Sequence, residues 1–199
     1  MKARGLCAGA QTPSSVASYK QAPCIDAIED TAMNNDTRSR EQLWSLIEDI
    51  RFAMFTTRNK AGHLHSRPMT TQNKALDEDD RLWFFMSRRS DPVDDLDAES
   101  DVNVSYAHPG KDRYVSVSGR ASISDDMAKK QLLWSKLAQA WFPGGASDPD
   151  LALVEVKITQ AHYWDVKESK MTQLYEMAKA TVTGKPPTGL GESGEIRMG

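Results

Sequence analysis

The segment from Phe52 to Ser124 most constrains the fold. It carries five β-rich runs, joined by tight turns or by a single short helix. Parallel neighbours need a crossover of a dozen or more residues, and no strand–helix–strand alternation is present. The runs are "FAMFTT" (52–57), "HLHSRPMTTQN" (63–73), "RLWFFMS" (81–87), "DVNVSYAH" (101–108) and "RYVSVSGRASIS" (113–124). "RLWFFMS" is apolar on both faces and so reads as a central strand. Gly119 interrupts the longest run and marks a bulge. The pattern predicts an α+β fold built on an antiparallel barrel of six or so strands, with helices around it.

The flanking elements follow from periodicity. Leu43, Leu46, Ile47 and Ile50 fall at i, i+3, i+4 and i+7 and predict a helix over Arg38–Arg51. "SDPVDDLDAE" reads as a short helix with Pro92 near its first position. A helix is expected over 125–142, a bent sixth strand over 151–166 and a last helix over 169–184, ended by Gly184 and Pro186–Pro187. Residues 1–36 are polar, aperiodic and without a signal-peptide core, so a disordered segment is expected there. Met33 is an alternative natural start. The folded domain is expected over 37–184, followed by a polar tail over 185–199.

Composition limits the function. A net charge of −3 argues against a general nucleic-acid binder. No apolar run approaches the roughly 18 residues of a membrane span. The two cysteines, Cys7 and Cys24, lie outside the expected domain and form neither a disulfide framework nor a zinc pattern. Cytoplasm is therefore the expected compartment. His63 and His65 share a strand face, but no matching ligands complete a metal site. There is no nucleophile elbow, dinucleotide fingerprint or P-loop.

An arginine followed by a proline in a strand, Arg67–Pro68, is unusual. Proline is tolerated at an edge, and arginine offers a planar fork of donors. "SRRS" (87–90) places two hydroxyls and two arginines, Arg88 and Arg89, between a buried strand and a helix start, where amides favour anions. Two separated segments thus each offer a cation and donors. Each also has a bland reading, as a surface ion pair and as a solvated cap.

The ordered set "FAMFTT", "HLHSRPM", "LWFFMSRRS", "DVNVSYAHP", "YVSVSGRA", "WFPGG…DPDLALVEV", "YWD" and "GKPP" resembles the general-stress-protein branch of the pyridoxamine 5'-phosphate oxidase-like flavoproteins. The resemblance covers about Arg38 to Met198. It implies a split β-barrel, a homodimer, and FMN at the subunit interface. On that likeness Arg67 meets the FMN phosphate, Pro68 ends regular pairing, and the backbone at Met69 meets the flavin ring. Phe85, Met86, Ser87 and Ser90 lie along the flavin and its ribityl tail. Two positions depart from the family pattern: Met86 stands where relatives have a small hydroxyl residue, and Pro92 where they have a lysine, a lost phosphate cation for which Arg88 or Arg89 is the candidate replacement. Tyr114 and Ser116 lie on the strand nearest across the dimer, and Trp164 approaches the flavin from the other subunit. The arginine–leucine–proline-type ending of true pyridoxamine 5'-phosphate oxidases is missing; this chain ends "GEIRMG".

Two functions fit this likeness. One is an FMN-dependent oxidoreductase acting on an unidentified small molecule or electron acceptor. The other is a non-catalytic flavin-binding stress protein that stores FMN or senses redox state. A haem or deazaflavin on the same barrel is a third. His65 and Tyr114 are the only proton donors the sequence offers near the expected site.

Overall fold

The computed structural model describes residues 25–96, 98–166, 170–185 and 191–198. Among these, seven antiparallel strands form one curled sheet: β1 (Ala53–Arg58), β2 (Leu64–Met69), β3 (Arg81–Ser87), β4 (Asp101–His108), β5 (Arg113–Ser124), β6 (Leu151–Asp165) and β7 (Glu192–Arg197). Their order is β2-β1-β4-β5-β6-β3, with β7 also paired to β6. The sheet closes on itself where Thr71 bridges Phe84 and the Gln72 amide donates to the Trp83 carbonyl at 2.8 Å. Asn73 completes this seam with its side chain. Its amide nitrogen donates to the Arg81 carbonyl, and its oxygen accepts from the Trp83 amide, both at 2.8 Å.

Strand β6 makes the closure possible. Its first half pairs with β3 and its last six residues pair with β7, while β5 follows it throughout. The change of partner occurs at a bulge: Ser118 faces Gln160 but Gly119 faces Ile158, leaving Thr159 unpaired. A Cβ at Gly119 would stand 2.4 Å from the Lys157 carbonyl oxygen and 2.7 Å from a Val156 methyl. Glycine there is a steric requirement of the bend.

Inward residues of the strands make the main core. Phe55 and Phe84 meet edge-to-face at 5.2 Å, surrounded by Val104, Tyr106, Val117 and Val154. Helix α1 (Ile25–Ile47) adds Leu43, Leu46 and Ile47 from one stripe. Outside the barrel a second cluster joins Trp83 and Phe85 to Leu133, Ala138 and Phe142.

Four sequence expectations are revised. Helix α1 starts at Ile25 rather than Arg38, so residues 25–36 are helical and not disordered; no glycine or proline interrupts that stretch. Residues 1–24 lie outside the described residues. The expected single helix over 125–142 is two, α3 (Met127–Leu133) and α4 (Lys136–Trp141). Ser135 breaks it by capping α4, its hydroxyl accepting from the Ala138 amide, and extended Trp134 turns onto Phe85 at 5.7 Å. Part of the expected tail is strand β7, which buries Ile196 and lays Gly194 against the Tyr163 ring. The remaining helices, α2 (Asp91–Leu96) and α5 (Lys170–Thr183), lie where expected. No described helix is long and apolar enough to cross a membrane.

Gly119→Ala is expected to lower the unfolding free energy by roughly 1–3 kcal/mol, since the added methyl meets backbone rather than a movable side chain. Urea denaturation checks this; a change within about 0.5 kcal/mol, typical of an indifferent surface position, would contradict it.

Candidate functional site

The seam pairs Thr71 with Phe84. Continued in the same register, it would set Met69 beside Met86 and Arg67 beside Arg88, but no pairing continues. Pro68 has no N–H to give, and beyond Thr71 the two strands part. A cavity of about 630 Å³ lies at this split. Arg67, Pro68 and Met69 line it from β2, Thr70 from the loop just after, and Phe85, Met86 and Ser87 from β3. Ser90, Asp91 and Pro92 form a further wall at the start of α2, and Leu137, Ala138, Trp141 and Phe142 another from α4 and its end. Its size and largely apolar lining suit a small-molecule site.

Arg67 is held from behind. Its Nη1 donates to the Thr57 hydroxyl at 3.1 Å, and that hydroxyl donates to Asp95 at 2.7 Å. Arg67 Nη2 lies 3.8 Å from Asp95 and 3.6 Å from Asp91. Thr57 and Asp95 are buried, and a buried carboxylate is costly unless paired. The network thus satisfies Asp95 and fixes the guanidinium plane at the cavity wall. Asp91 is different: its side chain is 85% exposed, so its hold on Arg67 is weak.

The "SRRS" turn is bonded to itself and to aspartates. Arg88 pairs with Asp125 at 2.6 Å, and Arg89 pairs with Asp150 at 3.0 Å. Ser87 donates to Asp150 at 2.8 Å, and Ser90 donates to the Ser87 carbonyl at 2.6 Å. The amides of Arg88, Arg89, Ser90, Val93 and Asp94 are spent within this turn and on Asp150. Pro92 has no amide hydrogen, and α2 opens with an aspartate. Most amides of this turn are thus committed within it, and neither Arg88 nor Arg89 lines the cavity, whereas Ser90 and Asp91 do.

Of the other expected residues, Tyr114, Ser116 and Trp164 lie on the outer face of the sheet, away from the cavity. Tyr114 and Trp164 are cross-strand partners and both are about half exposed. Trp164 stacks on His162 with ring centres 6.5 Å apart, and Ser116 accepts from Asn103 at 2.8 Å. His63 and His65 are exposed, and no cluster of metal ligands occurs among the described residues.

Sequence reasoning missed Arg51, Phe52 and Trp141 as cavity residues. Arg51 follows a helix stripe and reads as a surface charge. Trp141 reads as a core position of one long helix, yet it is 78% exposed because α4 is a separate element.

Residues 38–188 match the family model described as pyridoxamine 5'-phosphate oxidase like. The chain belongs to that family. Protein bli-3 of Neurospora crassa is 31% identical over 182 residues, covering 85% of this chain and 82% of that protein. A crystal structure of a general stress protein 26 from Jannaschia sp. CCS1 is similar with a TM-score of 0.63 and 26% identity, over 81% of this chain and 98% of that one. The general stress FMN/FAD binding protein of Xanthomonas citri is similar with a TM-score of 0.57 and 28% identity, over 67% and 92%. The expected split-barrel family and its general-stress-protein branch are the ones these relatives represent.

Hydrogen bonds from Arg89 and Ser87 hold the Asp150 carboxyl below its ordinary value of 3.8. A depressed folded pKa stabilises the fold fully above the unfolded value and loses that contribution as pH falls through the folded one. Lowering the pH from about 5 to about 2.5 should therefore reduce Tm more steeply in the native protein than in Asp150→Asn. Parallel Tm–pH curves for the two proteins would show that Asp150 does not anchor the turn.

Proposed function

We propose that this chain binds FMN in the split-barrel cavity, with the phosphate on Arg67 and the ring against Met69, Phe85 and Met86, and serves as a flavin-dependent oxidoreductase. The observation that carries this reading is the guanidinium of Arg67, fixed by Thr57 and Asp95 at the edge of an apolar cavity. The residues present fit the group. A rigid fork suits one terminal phosphate, which favours FMN over FAD, and the apolar wall suits a flat ring. Exposed Asp91 would give way to an incoming phosphate, while buried Asp95 keeps the guanidinium in place. Ser87 and Ser90 are near enough to the cavity to serve the ribityl hydroxyls. Bound FMN would supply one- or two-electron transfer.

The protein's own part would be binding, orientation and exclusion of water. Among the described residues, the cavity lining holds no histidine, lysine, cysteine or tyrosine. His65 and Tyr114, the expected proton donors, are not among the lining residues. This favours keeping a second reading, a flavin-binding stress protein that turns over little and stores FMN or senses redox state. Oxidation of pyridoxamine 5'-phosphate is not part of either reading: the tail's Arg197 is paired to Glu195 within β7 and offers no second phosphate site.

We further propose that the chain forms a homodimer through the outer sheet face, where Tyr114, Trp164 and Met54 are exposed. Two-fold pairing is the commonest assembly, and it would bring Trp164 of one copy toward the cavity of the other. Light scattering should report a dimer, and Trp164→Glu should shift it toward monomer at least tenfold in concentration. A native monomer that still binds flavin would refute this arrangement.

Fluorescence titration with FMN tests the site. Arg67→Ala should weaken binding on the order of a hundredfold, for two charge-assisted hydrogen bonds at roughly 1.5–3 kcal/mol each, part of it offset by solvent. Asp91→Asn should tighten binding by no more than about fivefold, since an exposed pair is worth up to about 1 kcal/mol. Unchanged affinity in both variants would remove the phosphate from Arg67. Rapid reoxidation of the reduced protein, together with a substrate that speeds flavin reduction, would select the enzyme over the storage reading.

A further inference from the structure

Two arginines line the cavity, Arg67 and Arg51, and the flavin reading uses only one. Arg67 stands opposite Phe55 in the β1–β2 register, and Met69 stands opposite Ala53. Arg51 lies four residues before Phe55, on the order of 13 Å further along if the chain is extended. The cavity carboxylates gather at the Arg67 end: Asp91 faces Arg67, and Asp150 binds Ser87 and Arg89. Arg51 has no ion pair among the described residues. Its guanidinium lies 5.1 Å from the centre of the Phe52 ring, and both residues line the cavity. Phe52, Leu137 and Trp141 line it too and are 55%, 43% and 78% exposed. Large apolar side chains held at the mouth of a cavity mark a surface for a ligand.

We infer that Arg51, Phe52, Leu137 and Trp141 form a second subsite of the cavity that takes a flat, apolar molecule bearing one anionic group. It rests on the flavin reading for its neighbour, since FMN would fill the Arg67 end. The chemistry of recognition is complementary. An aromatic face stacks on Phe52 and Trp141, and the anion meets the one cavity cation that no carboxylate answers. A cationic ligand would be repelled there, and a neutral one would lose the charge-assisted bond.

2-Naphthoate is a suitable probe, with 2-naphthylmethanol as its neutral counterpart, each measured by equilibrium dialysis against the full chain with and without saturating FMN. Naphthoate should bind the FMN-loaded protein more tightly than the alcohol does. Arg51→Gln should weaken naphthoate roughly tenfold and leave the alcohol and FMN unchanged. Trp141→Ala should weaken both probes. Arg51 and Trp141 are exposed, so both variants are expected to fold. Naphthoate binding that ignores Arg51 but is lost in Arg67→Ala, or that competes with FMN, would overturn the subsite while leaving the flavin site standing. So would an Arg51→Gln effect on FMN alone, which would assign that arginine to the cofactor. Failure of FMN to bind, with Arg51-dependent naphthoate binding retained, would instead overturn the flavin reading and keep the subsite.

Discussion

The seam between β2 and β3 is the contact on which the rest of the structure depends. Three residues, Thr71, Gln72 and Asn73, join the first and last strands of the sheet order and turn an open sheet into a barrel. Asn73 does this with its side chain, which both donates to and accepts from the backbone of β3 as a strand residue would. The seam is short because β2 turns from strand to loop at Thr70 and because Pro68 removes a donor from the stretch that would otherwise extend it. What remains unpaired becomes a cavity. Closure and opening are thus two consequences of one local sequence: "TQN" ties the strands, and "RPM" lets them part.

Position along the seam also decides what chemistry the cavity can hold. The lining comes from consecutive residues at the ends of two strands, so Arg67, Pro68 and Met69 wall one side and Phe85, Met86 and Ser87 the other. Bending β6 at Thr159 lets its first half carry β3 to this place while its second half remains free for β7. The requirement for glycine at 119 and the location of Arg67 are therefore linked, though the two residues share no contact. A methyl group at the bulge would press on the strand that positions the opposite wall of the cavity.

The strands were legible because their signal is local. β4 and β5 run over the residues that alternation predicts, and β3 over the run that is apolar on both faces. Breaks that depend on tertiary packing were not legible. Trp134 lies within a helix-like apolar pattern, but its contact with Phe85 and the cap offered by Ser135 outweigh the continuation of that helix. β7 contains a glycine and buries only Ile196, so no periodicity announces it; its place is set by the edge of β6. Within the site, Arg67 could be singled out because an arginine beside a proline is unusual in a strand. The fate of Arg88 and Arg89 could not, since their partners, Asp125 and Asp150, lie far along the chain. Arg51 carried no signal at all, because a charge just past a helix is ordinary.

The balance of charge around Arg67 governs how an anion would be recognised. Arg67 faces Asp91 and Asp95, Arg89 is matched by Asp150, and Arg88 by Asp125. Cations and carboxylates nearly cancel, so this end of the cavity projects little net field into solvent. Long-range steering of a phosphate would be weak, and association would gain little at low ionic strength. Recognition must come at short range, from a guanidinium whose orientation is already fixed by Thr57 and Asp95, and from apolar contact with the cavity wall. Pre-orientation of that kind saves the entropy of ordering a long side chain when the ligand arrives. A lysine at position 92 would add a mobile charge to the turn. Proline there instead stiffens the start of α2, which carries Asp95, and so holds the group that holds Arg67.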